Sequence, residues 1–243
     1  MSTILMYHYL GEPPPSAGRH TALYVPERDF TAQLRSLSRR MVRTVSPEEY
    51  DAGLTVAALK NTAWLTFDDG RIDNYTVALP ALVKENHRAT FFVIAQRALA
   101  GEAGFMNVPM LKEALAAGIS IGSHSLTHPR LARLTAEELR REIIDSKAML
   151  EDALGVEITS FCYPYGNFNQ AAMEAVREAG YRLAVSTIRD NENRESDRYR
   201  LKRVMIQPGR TGIAFPYVFS SMYHWVHMRK NRRRWIAKQR ATQ

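Results

Sequence analysis

Two adjacent aspartates, Asp68 and Asp69, directly follow an apolar run in the segment TFDDG (Thr66–Gly70). Successive side chains of a strand point to opposite faces, so neighbouring carboxylates at a strand end form either a turn or two parts of a site. Carboxylates act as general bases and as ligands of divalent metals. The pair by itself is equally typical of a plain turn, so the remaining sequence must separate these interpretations.

Two further segments carry groups that could take part in the same chemistry. HSLTHP (His124–Pro129) places two histidines four residues apart, directly after the apolar run ISIGS. Imidazole is a frequent metal ligand, and this spacing fits one face of a helical turn. FCYPYG (Phe161–Gly166) again runs from a strand-like stretch into a turn. Each segment alone is weak evidence, and together they favour a metal-assisted reaction.

The elements that carry these segments alternate between short β-like runs and amphipathic helical stretches. Most of the runs are apolar on both faces, which is typical of a buried parallel sheet. Patterns such as SPEE (Ser46–Glu49) and TAEE (Thr135–Glu138) mark the starts of helices. The predicted strands are Ile4–Tyr9, Val42–Val45, Ala63–Asp68, Thr90–Ile94, Ile119–Ser123, Ser160–Tyr163, Tyr181–Val185 and Leu201–Ile206.

This alternation predicts an α/β fold in which βα units surround a parallel sheet or barrel, and 243 residues suit a single domain. In such folds reactive groups gather beyond the C-terminal ends of the strands. Four predicted strands are therefore expected to bring polar groups to one face. The groups at these strand ends are His8, Asp68 with Asp69, Ser123 with His124, and Pro164 with Tyr165.

In this order, the three segments resemble the motifs of metal-dependent polysaccharide deacetylases, the carbohydrate esterase family four or nodulation-type deacetylase domain. TFDDG and HSLTH match that family's motifs without a substitution, and the resemblance extends from Ile4 to Ile206. It implies a distorted (β/α) barrel with fewer than eight complete units. We assign this barrel to residues 1–210, and residues 211–243 to an aromatic and basic C-terminal tail.

The resemblance implies a division of roles between the two aspartates. Asp69, His124 and His128 would hold a divalent metal, and Asp68 would be the general base that takes a proton from the attacking water. Zn²⁺ is the expected metal, although two histidines and one carboxylate also suit Co, Ni, Fe or Mn.

The third segment would supply the oxyanion-stabilising turn. By resemblance, the backbone N–H of Tyr165 donates to the developing oxyanion. Pro164 and Gly166 would fix this turn, and Pro164 and Tyr165 would border the bound substrate.

Two departures from the family's pattern concern the base and the acid. Many members begin the third motif with an arginine that orients the base, whereas this chain has Cys162. Arg203 is expected to supply the cation instead, with a solvated arginine as the alternative. The family's late histidine motif is also missing. His8 is expected to act as the general acid, as in the circularly permuted branch of the family, with a structural core histidine as the alternative.

Four other polar residues receive structural interpretations. His20 and His87 are interpreted as loop or surface residues. Asp73 and Asn74, just past the first motif, are interpreted as a helix cap rather than as ligands.

Charge is distributed unevenly along the chain. Of the 33 Lys and Arg residues, 12 lie between Arg198 and Gln243, where no Asp or Glu occurs, which leaves 21 basic against 25 acidic side chains before Arg198. A neutral aromatic stretch precedes the basic run Arg229–Arg240, which includes Trp235. Such a tail suits an anionic membrane surface, and it equally suits aromatic packing on the barrel beneath solvated charges. Nucleic acid is a weaker alternative, because no recognised nucleic-acid motif accompanies the tail.

The sequence thus predicts a metal-dependent hydrolase that removes an N-acetyl or N-formyl group from an amino sugar. A single cysteine and the absence of an apolar leader predict a cytoplasmic location, with peripheral contact to the inner membrane face. The expected substrate is an amino-sugar glycan, or a lipid-linked or nucleotide-linked precursor in cell-surface polysaccharide assembly. The alternatives are an esterase or amidase on another acylated substrate, and a catalytically degraded glycan-binding scaffold.

Overall fold

A computed structural model describes residues 2–55 and 59–240, with residues 55 and 232–240 described in their backbone only. Within these residues the strands, numbered β1 to β10, are Ser2–Tyr7, Tyr9–Leu10, Tyr24–Val25, Arg43–Thr44, Thr62–Phe67, Thr90–Val93, Ser120–Ser123, Ser160–Cys162, Leu183–Arg189 and Leu201–Met205. The α-helices, numbered α1 to α9, are Glu27–Arg39, Pro47–Thr55, Leu79–Lys84, Ala95–Leu99, Val108–Ala116, Ala136–Arg140, Ser146–Leu154, Gln170–Glu178 and Ser221–Arg240.

Seven strands close into a parallel barrel in the order β1-β10-β9-β8-β7-β6-β5, because β1 also pairs with β5. The closing pair runs in register from Ser2 opposite Thr62 to Tyr7 opposite Phe67. β4 pairs with the start of β5 as an eighth strand outside the ring. The predicted distorted (β/α) barrel with fewer than eight units is confirmed. All eight predicted strands are present, and β2 and β3, which pair only with each other, were not predicted.

The barrel interior is apolar at one level and charged above it. Ile4, Trp64 and Phe92 belong to one buried cluster. Side chains two residues apart share a strand face, so Asp68 points to the same side of β5 as Trp64. Trp64 donates from Nε1 to Thr90 Oγ1 over 2.8 Å, which satisfies its one polar group inside the barrel. The apolar layer thus closes the barrel beneath the strand ends that carry the site.

The predicted helix starts are confirmed. At the start of α2, the Glu49 N–H donates to Ser46 Oγ over 3.2 Å, and Glu49 Oε2 accepts from the Ser46 N–H over 2.9 Å. Thr135 and Glu138 form the expected capping box at the start of α6. A single π-helical segment, 141–145, joins α6 to α7, which ends at Gly155 with a φ of 71°.

Two local interpretations are wrong. Asp73 has helical backbone angles and makes no capping bond, because it lies inside the helix that begins at residue 72 and continues through the π-helical segment Asn74–Ala78 into α3. Asn74 is buried and donates from Nδ2 to the His8 carbonyl over 3.1 Å, so it links this helix to β1. His87 is buried rather than on the surface, and its Nε2 donates to the Leu34 carbonyl over 3.0 Å.

Part of the tail packs on the barrel. Phe215, Val218 and Tyr223 are buried in the main core. Asn191 fixes the start of α9 by donating from Nδ2 to the Val218 carbonyl over 2.8 Å. Trp225 is half exposed, whereas the side chain of Trp235 lies outside the described residues. Among the residues the structure describes, none of the helices combines the length and apolar character that a membrane span requires.

Candidate active site

The turn after β5 separates the two aspartates. Asp68 continues the strand into the barrel mouth and is 2% exposed. Asp69 and Gly70 take φ values of 75° and 65°, which turns the chain sharply away. A Cβ at Gly70 would lie 2.8 Å from the side chain of Val93, so this turn has room only for glycine. The two carboxylates therefore face different partners, as neighbouring residues with different functions require.

Asp69, His124 and His128 converge on one point. Asp69 Oδ1 lies 3.5 Å from His124 Nε2 and 3.4 Å from His128 Nε2. The two Nε2 atoms are 3.2 Å apart. The expected helical turn between the histidines is wrong, since Ser125 and His128 have φ values of 65° and 69°. A loop positions them instead, in which the His128 N–H donates to Ser125 Oγ over 3.0 Å.

These three donors fit a divalent metal. Ligand atoms about 2.0–2.1 Å from a tetrahedral Zn²⁺ lie about 3.4 Å from one another, close to the observed separations. His124 Nδ1 donates to the Cys162 carbonyl over 2.7 Å, which directs its Nε2 lone pair toward the shared point. Burial opposes the charge of Asp69, but hydrogen bonds from His124 and His128 hold its pKa well below the usual range. The carboxylate is therefore ionised and available as a ligand.

Asp68 faces Arg203 instead of the metal site. Arg203 Nη1 and Nη2 donate to Asp68 Oδ1 and Oδ2, each over 2.7 Å, in a bidentate pair buried from solvent. Burial opposes ionisation of Asp68, but the guanidinium charge and its hydrogen bonds hold the pKa of this carboxyl below its usual value. Arg203 thus lies where the sequence placed the missing cation. Its part in catalysis stays a prediction.

Cys162 lies beside this pair as a buried thiol. Arg203 Nη2 is 3.3 Å from Cys162 Sγ. Burial raises the pKa of Cys162, so the thiol stays protonated. An arginine at position 162 would compete with Arg203 for the space next to Asp68.

His8 and Tyr165 border the same site. His8 Nε2 lies 3.7 Å from Asp68 Oδ2. Burial lowers the pKa of His8, and the charges of Asp68 and Asp69 offset part of this effect. Tyr165 has a φ of 58° in the turn after β8, and its ring lies edge-on to His128 at 4.5 Å. Pro164 is buried at the start of this turn.

The site opens into a cavity of about 290 Å³. Sequence reasoning missed eight of its lining residues. Arg71 adjoins the first motif, and Arg97 follows the end of β6, so the strand-end rule could have found both. His20, interpreted as a loop or surface residue, is exposed and also lines the cavity. The missed residues are Tyr9, His20, Leu23, Arg71, Ile94, Arg97, Phe105 and Thr187.

Comparison with known families agrees with this geometry. A family model described as polysaccharide deacetylase matches residues 55–184, more than half of the chain. The chain belongs to the polysaccharide deacetylase family. This family consists of carbohydrate-active hydrolases, so the predicted recognition and enzyme class are confirmed. The matched segment contains Asp68, Asp69, His124, His128 and Tyr165. His8 and Arg203 lie outside it, and membership of the permuted branch stays a prediction.

Individual relatives support the same assignment for this deacetylase. The YxkH protein of Bacillus subtilis (strain 168), itself named a polysaccharide deacetylase only provisionally, is 33% identical over 90% of this chain and 76% of its own length. The Streptococcus pyogenes deacetylase PplD, solved with acetate, has a TM-score of 0.85 and 29% identity over 90% of this chain and 97% of that one. A Listeria monocytogenes peptidoglycan-N-acetylglucosamine deacetylase is 33% identical over 46% of this chain but only 23% of its own length.

Proposed function

We propose that this protein hydrolyses the N-acetyl group of an amino sugar in a glycan or glycan precursor, with a divalent metal at Asp69, His124 and His128. The observation that carries the proposal is the arrangement of these three ligands beside a separate, buried carboxylate. Asp68 lies next to the metal site, yet Arg203 binds both of its oxygens. A carboxylate held ionised and unligated in this position is suited to accept a proton.

A divalent metal held by Asp69, His124 and His128 would lower the pKa of the attacking water and polarise the acyl carbonyl. Asp68 accepts the proton of the attacking water while Arg203 holds the carboxylate in one orientation. The Tyr165 backbone N–H donates to the carbonyl oxygen as charge develops there. Tyr165 takes an αL backbone conformation, with a φ of 58°, in the turn after β8.

His8 is suited to protonate the leaving amine. Its Nε2 lies 3.7 Å from Asp68, so a proton taken up by the carboxylate has a short path to the imidazole. Asn74 holds the backbone of His8 in place through its carbonyl, over 3.1 Å. Breakdown of the tetrahedral intermediate then releases the amine and the carboxylate product.

The relatives support an N-acetylated amino sugar as the substrate. The Listeria protein is named for N-acetylglucosamine in peptidoglycan, and the Streptococcus deacetylase was solved with acetate. Zn²⁺ is the metal we propose, in keeping with the donor set. We propose a lipid-linked or nucleotide-linked sugar as the specific form of the substrate, and the site also has the chemistry to remove an N-formyl group.

We also propose that α9 contacts an anionic membrane surface. Met222 and Trp225 are exposed on this helix, and the Arg229 guanidinium carbon lies 3.7 Å from the Trp225 ring centroid. An aromatic side chain beside cationic ones suits a lipid headgroup region. The proposed location is the cytoplasm, at the inner membrane face, and fractionation of cells that express the tagged protein tests it.

Acetate release from a panel of N-acetylated amino sugars and matched O-acetyl esters tests the proposed function. Release from the amides should stop on chelation and return on metal addition. Asp68→Asn should lower kcat by about 10²–10⁴-fold with full metal occupancy, since only the base is lost. Asp152→Asn, on an exposed face of α7, is the matched control. Cleavage of esters alone, or an undiminished kcat in Asp68→Asn, would contradict the proposal.

A further inference from the structure

One wall of the active-site cavity is cationic. The guanidinium carbons of Arg71 and Arg97 lie 4.3 Å and 4.6 Å from the centroid of the Phe105 ring. Both arginines line the same cavity as Asp69 and His128. Cation–π contacts of this kind hold a guanidinium in place while leaving its N–H groups free to donate.

The backbone keeps this wall rigid. Arg71 and Phe105 form an antiparallel bridge. The Met106 N–H donates to the Gly70 carbonyl over 2.9 Å, and the Ile72 N–H donates to the Gly104 carbonyl over 3.0 Å. The first motif and the wall therefore form one unit, and the distance from the wall to Asp69 is set by the backbone.

The negative charges of the cavity are already paired. Among the described residues that line it, the carboxylates are Asp68 and Asp69. Asp68 is bound to Arg203, and Asp69 is directed at the metal position with His124. Arg97 shares part of its charge with Glu102, over 3.4 Å. With a divalent metal bound, the cavity carries a net positive charge.

We propose that Arg71 and Arg97 form a subsite for a phosphate group carried by the amino-sugar substrate. The inference rests on the proposed function and deepens it by naming the substrate class. Guanidinium groups bind phosphate oxygens through two parallel N–H donors. A neutral N-acetylated sugar would offer these two guanidinium groups no anionic group to bind. A sugar phosphate, or a sugar linked through phosphate to a nucleotide, a lipid or a second glycan, would pair with them.

Calorimetry on the metal-loaded protein tests the subsite without requiring turnover. The probes are glucosamine 1-phosphate and glucosamine. The phosphate probe should bind more tightly, and Arg71→Gln and Arg97→Gln should each reduce its affinity by about fivefold, as expected for one partly exposed charge pair. Arg88→Gln is the matched control, since this exposed arginine binds Glu49 instead of lining the cavity. Equal binding of the two probes, or equal affinity in all variants, would overturn the subsite.

Turnover distinguishes this inference from the proposed function. The ratio of kcat/KM for N-acetylglucosamine 1-phosphate to that for neutral N,N′-diacetylchitobiose should exceed one and fall in both arginine variants. If neither sugar releases acetate while the binding preference remains, the proposed function fails and the subsite stands. If both release acetate with equal kcat/KM in every variant, the subsite fails and the deacetylase stands. Nucleotide-linked and lipid diphosphate-linked sugars, run as separate arms, identify the source of the phosphate.

Discussion

Asp68 and Arg203 show, at the scale of single residues, that a required charge can come from another strand. Burying an ionised carboxylate without a neighbouring cation would lower the free energy of unfolding. Cys162 on β8 cannot provide this cation, but Arg203 on β10 reaches the same point inside the barrel. The bidentate pair has donor–acceptor distances of 2.7 Å, short enough to fix the direction of the carboxylate as well as its charge. We therefore regard Arg203 as a positioning residue.

Arg203→Lys should separate positioning from charge. Lysine keeps the charge but cannot donate two parallel hydrogen bonds, so kcat should fall by about 10-fold or more with full metal occupancy. Arg203→Met should instead destabilise the fold by about 3–5 kcal/mol, because it leaves a buried charge unpaired. Acetate-release kinetics and urea unfolding measure the two effects. Arg182→Lys, at an exposed pair with Glu157, is the control. A normal kcat in Arg203→Lys would remove the positioning role.

The turn after β8 is the element whose shape determines the direction of the Tyr165 N–H. Gly166 has a φ of 59° and donates from its N–H to the Tyr163 carbonyl over 2.8 Å. A Cβ at Gly166 would lie 1.9 Å from Thr187 Oγ1, which belongs to β9. Residue 166 thus has both a conformational and a steric reason to be glycine. A side chain at this position would force the turn to shift, which would rotate Tyr165.

Gly166→Ala should therefore lower kcat more than it lowers stability. The turn must open to admit the methyl group, which moves the Tyr165 N–H and should reduce kcat by about 10²-fold. Gly155→Ala is the control, because Gly155 has a φ of 71° with no atom near its Cβ position. It should cost about 1 kcal/mol in unfolding free energy and leave kcat unchanged. Equal effects of the two variants on kcat would show that the turn has no special role.

His87 joins α1 to β4 and gives the fold a pH-dependent contact. Its Nε2 lies 3.0 Å from both the Leu34 carbonyl and Ser38 Oγ, and its Nδ1 lies 3.4 Å from Thr44 Oγ1. Burial lowers the pKa of His87 below the ordinary value of 6.5, although the Leu34 hydrogen bond offsets part of this. The folded state therefore favours the neutral ring. The stabilisation is fully present above the ordinary pKa of histidine and is lost as the pH falls below it.

His87→Gln should reduce this pH dependence. At pH 7 the variant should lose about 1–2 kcal/mol of unfolding free energy, because buried hydrogen bonds are weakened. Between pH 7 and pH 5 the stability of the wild type should fall further than that of the variant. Urea unfolding across this range measures the difference, and His20→Gln, at an exposed histidine, should follow the wild type. Parallel curves for wild type and His87→Gln would contradict this expectation.

At the scale of the whole molecule, the tail has two parts with different surroundings. Residues up to Tyr223 add buried side chains to the core, so they complete the packing around the barrel. The basic run beyond Asn231 follows on α9, where Asn231 donates from Nδ2 to the Arg189 carbonyl over 3.0 Å. The boundary between barrel and tail at residue 210 stays a prediction.

Ending the chain after Asn231 should weaken membrane contact while leaving the fold intact. The deletion removes the five basic residues Arg232, Arg233, Arg234, Lys238 and Arg240 but keeps the packed aromatic stretch. Binding to vesicles with phosphatidylserine should weaken strongly, at about 1 kcal/mol per basic residue, while the Tm stays the same. Vesicles of phosphatidylcholine alone are the control and should bind neither protein. Equal binding of the full-length and shortened chains to anionic vesicles would contradict the proposed membrane role of this segment.

The motifs and the fold class could be read from the sequence because both are local patterns. Apolar runs of strand length, helix caps and the spacing of the TFDDG and HSLTH segments depend on neighbouring residues, and local physics decides them. The strand-end rule then placed Asp68, Asp69, His124 and Tyr165 at one face without knowledge of the strand order.

Tertiary structure showed which of the expected contacts form and why they can form. Asp68 and Arg203 are 135 residues apart and touch because β1 pairs with both β5 and β10 and so closes the barrel. The loop that joins the two histidines, and the wall of Arg71 and Arg97, likewise depend on distant backbone segments. A side chain's partner across the barrel is set by strand order and register, and no sequence pattern within one strand reports these.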